Sequence, residues 1–284
     1  MSTEDSKPAS TIVSRQVEIH ATPEQVWQAI ATGTGNAGWL FPAEIEERQG
    51  GSMLIHRAPF GGDAPATVTA YEPPRRFAYE EQAGPDMPPW ATEFLVEGRA
   101  GGTTVVRVVT GFYEGGEGWE PMVEGAGEGW GGALQLLRVY VPNFLGQPVV
   151  NVGVTGDTGQ PLDDRSALAA ELFHALNLTG LRAGDKFRAP HDAPPLAGVV
   201  EGAEEDGVPL SGSSHGCLLR TDEPAPGIFE ISTFSFNGQT VTVNVVGRLY
   251  GDDGAALATR DEPRWTAWLE ERFPAIGAAI TIPR

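Results

Sequence analysis

The 284-residue chain has a single cysteine, Cys217. One thiol can form neither an internal disulfide nor a cysteine-based zinc site, which fits a reducing compartment. Beside Leu218 and Leu219 it reads as a small buried apolar residue. Positive charge is scarce as well. Lysine and arginine total 19 against 38 aspartates and glutamates, a formal net charge of −19. The deficit is even, with 19 acids against 9 bases in residues 1–146 and 19 against 10 in residues 147–284. No basic tract exists in either half, so DNA, RNA and anionic membrane surfaces are set aside as partners by simple repulsion. Only Lys7 and Lys186 are lysines, which reads as the coding bias of a high-GC bacterium. Long apolar runs are missing too, and none approaches the ~18 residues of a spanning helix. The first ten residues, MSTEDSKPAS, lack the apolar stretch of a secretory signal. Residues 1–11 therefore read as a short disordered tail, and the cytoplasm is the expected location.

What is present is enough apolar matter, 40% of residues, for packed cores. At roughly 150 residues per domain the length implies about two domains. In residues 12–20, Val13, Val17 and Ile19 alternate with polar residues, as in a half-buried strand. Thr22, Pro23 and Gln25 then form a helix start with a capping box, and Val26, Trp27 and Ile30 lie on the buried face. Glycines 33, 35 and 38 end that helix ahead of Trp39, Leu40, Phe41 and Pro42. Strands are expected at residues 44–48, 52–57, 66–71, 76–82, 91–99 and 103–112, close enough to form an antiparallel meander. The acidic, glycine-rich residues 115–129 read as a loop, and residues 130–141 as an amphipathic helix ended by Pro142. The second half repeats this order. Strands are expected at 148–154, 186–189, 196–202, 216–221, 228–236 and 240–250, with Asn237-Gly238 as a hairpin signal. Helices are expected from Asp163 to about Leu176 and over residues 263–273. A duplication follows, with a boundary near Gly146.

Two short motifs are set aside on context. Gly127 to Gly132 satisfies G-x-G-x-x-G, but an acidic loop rather than an apolar strand precedes it. Gly212 to Gly216 satisfies G-x-S-x-G, but it sits between a polar loop and a strand, not between strand and helix. His20, His56, His174, His191 and His215 include no i, i+4 helical pair, so neither a metal nor a cofactor is expected. Trp39, Phe41, Phe60, Trp90, Phe94 and Trp130, with Leu134 on the helix face, belong to segments that would meet between sheet and helix. Both core packing and a ligand pocket use such residues. Arg107, between Val105 and Val109, implies either a carboxylate in a cavity or an edge of the sheet reaching water. His56 lies in a strand, either at the surface or as an acid toward a ligand.

These residues assemble into a resemblance. Ala21 to Trp27, Gly38-Trp39, Glu72 to Phe77, Thr103 to Phe112 and Gly129-Trp130 resemble the START-like, or SRPBCC, superfamily. Within it they are most similar to the branch named for the activator of 90-kDa heat-shock protein ATPase. The resemblance covers residues 12–141; the second half matches in element order alone. It implies an α+β architecture of two helix-grip domains, residues 12–146 and 147–284, each a curved antiparallel sheet around a long C-terminal helix. It also implies a hydrophobic cavity in the first domain. Lipid carriers, receptors, cyclases and co-chaperones share this fold, so no catalytic pair is carried over. The expected function is binding of a small hydrophobic molecule at Trp39, Phe41, His56, Phe60, Trp90, Phe94, Arg107, Trp130 and Leu134. The alternatives are a cyclase- or aromatase-like enzyme, with His56 or Arg107 assisting, and a co-chaperone whose partner is a chaperone ATPase.

Overall fold

The computed structural model describes residues 11–284 apart from 59–60, 83–86, 113–117, 204–214, 236–237, 274–275, 277–279 and 282–284. Residues 1–10 of the expected tail, Phe60, Asn237 and the G-x-S part of the second motif thus lie outside the described residues, while Thr11 is not tail, its carbonyl accepting from the Phe112 amide at 2.9 Å.

Strand β1 (Ile12–Ile19) leads into helices α1 (Pro23–Ala31) and α2 (Gly33–Ala37). The capping box forms: Thr22 Oγ1 accepts from the Gln25 amide at 3.3 Å, and Gln25 Oε1 accepts from the Thr22 amide at 2.9 Å. The meander follows as β2 (Ala43–Ile45), β3 (Ser52–Ile55), β4 (Ala64–Glu72), β5 (Arg76–Gln82), β6 (Pro89–Arg99) and β7 (Thr103–Phe112). All pairs are antiparallel, in the order β1-β7-β6-β5-β4-β3-β2. Helix α3 (Glu120–Phe144) packs Leu134, Leu137 and Val141 into the same core as Ile19, Val106 and Val108 of the sheet.

The second sheet is built from β8 (Val149–Pro161), β9 (Lys186–Arg188), β10 (Ala197–Ala203), β11 (His215–Glu223), β12 (Gly227–Phe234), β13 (Thr240–Tyr250) and β14 (Ile280–Thr281). Its order is β14-β8-β13-β12-β11-β10-β9. Helix α4 (Arg165–Ala175) follows β8, and α5 (Gly254–Arg272) follows the meander. Trp265, Trp268 and Leu269 of α5 share a core with Val152, Val154, Leu219 and Ile231. The architecture is therefore α+β, two antiparallel sheets each gripping a long helix.

Two expectations about helix starts are corrected. Residues 115–129 were expected as a loop, yet α3 begins at Glu120 and carries the G-x-G-x-x-G stretch within it. Each glycine costs a helix about 1 kcal/mol relative to alanine, so the local signal is against a helix. Tertiary contact outweighs it: a Cβ on Gly127 would lie 2.7 Å from a Val13 methyl of β1, so only glycine allows that approach. The helix also continues past Pro142. Likewise α5 begins nine residues before Pro263, which stands inside it.

The two halves touch. The outward residues Leu218, Ile228 and Tyr250 of the second sheet pack into the first core, beside Tyr140 and Phe144. The Tyr250 ring lies parallel to Phe144, centroids 4.2 Å apart. Helix α3 thus lies between the concave face of one sheet and the outer face of the other.

Candidate functional site

The concave face of the first sheet is set by strand parity. Met53 and Ile55 point inward on β3, and the next residue of that parity is Arg57. Phe77, Tyr79 and Glu81 point inward on β5, and Trp90, Thr92, Phe94 and Val96 on β6. Between this face and the first three turns of α3 lies a cleft of two chambers. One, of about 280 Å³, is lined mainly by Leu40, Phe41, Ile55, Trp130 and Ala133, with Asn36 at its edge. The other, of about 510 Å³, reaches Glu81, Trp90, Thr92, Pro65 and Met122. Arg57, Tyr79, Ala126 and Trp130 belong to both, so the chambers adjoin. The larger chamber falls within the usual range of small-molecule pockets, about 300–1,000 Å³, and the smaller lies just below it.

The polar groups are gathered where the chambers meet. Arg57 pairs with the buried Glu81 carboxylate at 2.6 Å. Such a pair persists away from water because each charge satisfies the other, and removing one partner is costly. Tyr79 is buried, and burial together with the nearby Glu81 carboxylate pushes its phenol above the ordinary tyrosine range. Thr110 Oγ1 is 2.9 Å from both the Ala91 carbonyl and Thr92 Oγ1. A carbonyl only accepts, so Thr110 donates to it and Thr92 donates to Thr110. The Tyr79 hydroxyl can donate or accept. The junction therefore offers donors on Arg57 and acceptors on Glu81 and Tyr79, with no net charge.

The residues expected from sequence fall into four places. Phe41 and Trp130 line the smaller chamber, and Trp90 and Trp130 the larger. Trp39, Phe94 and Leu134 are core residues behind it, with 0%, 2% and 1% exposure. Trp39 donates its Nε1 proton to the Ala29 carbonyl at 3.1 Å, and Phe94 meets Trp130 edge to face at 5.4 Å. His56 and Arg107 are not brought to the cleft. His56 points away beside Asp63 at 3.1 Å and Glu44 at 3.5 Å, whose carboxylates raise its pKa. Arg107 is exposed on the outer face of β7 between half-buried Val105 and Val109. The valines there reflect strand propensity, not an inward face. Phe60 lies outside the described residues. Arg57, Tyr79, Glu81 and Thr92 were missed, although Met53-x-Ile55-x-Arg57 and Phe77-x-Tyr79-x-Glu81 carry the period-2 signal that finds three of them.

Among the described residues no three of histidine, cysteine, aspartate and glutamate converge as a metal set. Residues 10–137, close to the extent of the first sheet and α3, match the family described as polyketide cyclase / dehydrase and lipid transport. The match supports a START-like, SRPBCC fold for the first unit. Solved structures similar to the chain include CalU16 from Micromonospora echinospora, 21% identical, covering 46% of this chain and 75% of that one, TM-score 0.39. The Aha1 dimer from Colwellia psychrerythraea is 19% identical, covering 46% of this chain and 96% of that one, TM-score 0.39. Protein MLL2253 from Mesorhizobium loti is 22% identical, covering 46% and 96%, TM-score 0.41. Likeness at this level bears on neither ligand nor reaction. No curated protein matches. No described helix is long and apolar enough to cross a membrane.

Hollows in the second half differ in place. One of about 520 Å³ lies along the 189–196 loop, beside Arg188, Glu223 and Arg264. Ala189, Pro190, Ala193, Pro195 and Leu196 line this hollow. It lies at the margin of the sheet. A second, of about 280 Å³, lies between β8, α4 and the C-terminal end of α5, at Thr158, Leu168, Glu171 and Phe273, while Trp265 and Trp268 fill the core under the middle of α5.

Proposed function

We propose that the first unit binds a small, mainly apolar molecule that ends in an uncharged head able both to donate and to accept hydrogen bonds. The observation that carries this is the composition of the cleft. Leu40, Phe41, Ile55 and Trp130 would cover the apolar body, while the Arg57–Glu81 pair and the Tyr79 oxygen meet the head. A carboxylate head would compete with Glu81 for Arg57 and leave one acid unpaired, which disfavours it. A phenol, hydroxyketone or amide satisfies both sides of the pair.

A second reading, cyclisation or dehydration of such a molecule, is favoured by the same group, because a buried carboxylate beside a phenol and a guanidinium can serve acid–base chemistry. Its residues would be Glu81 and Tyr79 in place of His56 and Arg107. Native mass spectrometry of the purified protein tests both. A bound mass that is lost in Trp130→Ala supports binding. A ligand that leaves wild type altered but leaves Glu81→Gln unaltered supports the reaction. A protein that carries nothing and takes up no neutral apolar compound contradicts both.

A further inference from the structure

One wall of the smaller chamber is held from the other half of the chain. Leu40 and Phe41, which line it, lie in the short segment 38–42 between α2 and β2. Its carbonyls are tied one after another. The Tyr250 hydroxyl donates to Gly38 O at 2.7 Å, and Arg248 Nη2 donates to Leu40 O at 2.8 Å. Asn36 Nδ2 donates to Phe41 O at 3.1 Å, and the His56 amide to Pro42 O at 2.9 Å. The first two ties span more than 200 residues of sequence.

The geometry of those two is matched. Arg248 and Tyr250 stand two apart on β13 and so share its outer face. The carbonyls they reach, on Gly38 and Leu40, are also two apart, and Trp39 between them is sunk into the first core. Tyr250 is packed against two rings of α3, Phe144 at 4.2 Å and Tyr140 at 5.8 Å. Tyr140 in turn presses on Gly38, where an added Cβ would lie 2.2 Å from the phenol ring. Arg248 is half-buried with Glu230 as its nearby countercharge, and its enclosed Nε has no hydrogen-bond partner. A guanidinium that leaves one enclosed donor unmet while it reaches a backbone carbonyl is poorly explained by stability alone.

We propose that Arg248 and Tyr250 are positioning residues for the first unit's ligand. The outer face of the second sheet clamps segment 38–42, so the second unit sets how tightly Leu40 and Phe41 close on the apolar body. This rests on the cleft being the binding site. Neither residue touches the cleft; each acts through a backbone carbonyl of its wall.

The test uses the full-length protein and the neutral fluorescent probe N-phenyl-1-naphthylamine. Wild type, Tyr250→Phe, Arg248→Met and Trp130→Ala are compared for probe affinity, for probe dissociation rate, and for amide hydrogen exchange at residues 38–42. Loss of one buried hydrogen bond corresponds to a roughly fivefold change in an equilibrium constant. Tyr250→Phe and Arg248→Met are each expected to weaken the probe by about that factor, mainly through faster dissociation. Exchange should quicken at residues 38–42 while β5 and β6 keep their protection. If the clamp variants bind as wild type does, while Trp130→Ala weakens the probe, the coupling is wrong and the cleft stands. If exchange quickens throughout the molecule, the two residues are only structural and the proposal is overturned. If wild type takes up no probe, the cleft reading falls first and the coupling with it.

Discussion

In both units the strand that precedes the short helices lies beside the last strand of the meander, β1 against β7 and β8 against β13. Both close with a long helix across the concave face. The second meander has one strand fewer, and β14 brings that sheet back to seven by pairing on the free side of β8. What separates them is the helix face and the sheet lining. Where α3 faces the cleft it presents Ala126, Gly129 and Ala133 around a single Trp130. Helix α5 places Trp265 and Trp268 in its core, rings 5.7 Å apart. The first sheet turns Arg57, Glu81 and Thr92 inward, and the second turns Cys217, Leu219, Phe229 and Ile231. One wiring therefore gives an open cleft under the middle of the gripping helix or a filled core there, with a hollow of about 280 Å³ only at the end of α5, according to whether that helix carries small or large residues.

Variants can press on that contrast from both ends. Trp268→Ala should have the largest effect, since it empties a filled core. A loss of about 3–5 kcal/mol in urea denaturation is expected, with probe binding in the first unit little changed; near-wild-type stability would deny that the second grip is solid. Glu81→Gln should cost less, about 1–3 kcal/mol, because Arg57 is about one-third exposed and water takes over part of the lost pairing. Trp130→Ala is expected to cost less stability again, since the side chain is only half-buried, yet to weaken the probe by about tenfold or more, equivalent to about 1.4 kcal/mol. His56→Ala should leave probe binding untouched and change stability least. The folded pKa of His56 is raised above 6.5, so its contribution is complete below that value and fades as pH rises through the raised one. A stability difference that grows toward high pH would contradict the Asp63 and Glu44 pairing.

Much of this was legible in the residues, and the misses have physical causes. The capping box at Thr22, the alternation in β1 and the apolar face of α3 from Trp130 onward are local signals, and each formed where local chemistry favours it. The first three turns of α3 could not be read, because Gly125, Gly127 and Gly129 weigh against a helix locally, and the close approach of β1 at Gly127 is a tertiary fact. His56 was favoured over Arg57 for its chemistry. Parity decides the matter: with Met53 and Ile55 inward, a histidine one place on must point out. The two ties on segment 38–42 had no local signal at all, since their donors are more than 200 residues away.

The central claim is that the space under α3 is empty because its residues are small and that this emptiness is the binding site. Gly129→Leu tests it most directly, because an added Cβ there meets nothing within 4 Å. Leucine in place of glycine also favours the helix by up to about 1 kcal/mol. Titration with N-phenyl-1-naphthylamine, alongside thermal melting, should show one site in wild type and none in Gly129→Leu, at an unchanged or higher melting temperature. Equal probe affinity in the two proteins would show that the ligand sits elsewhere and would contradict the account.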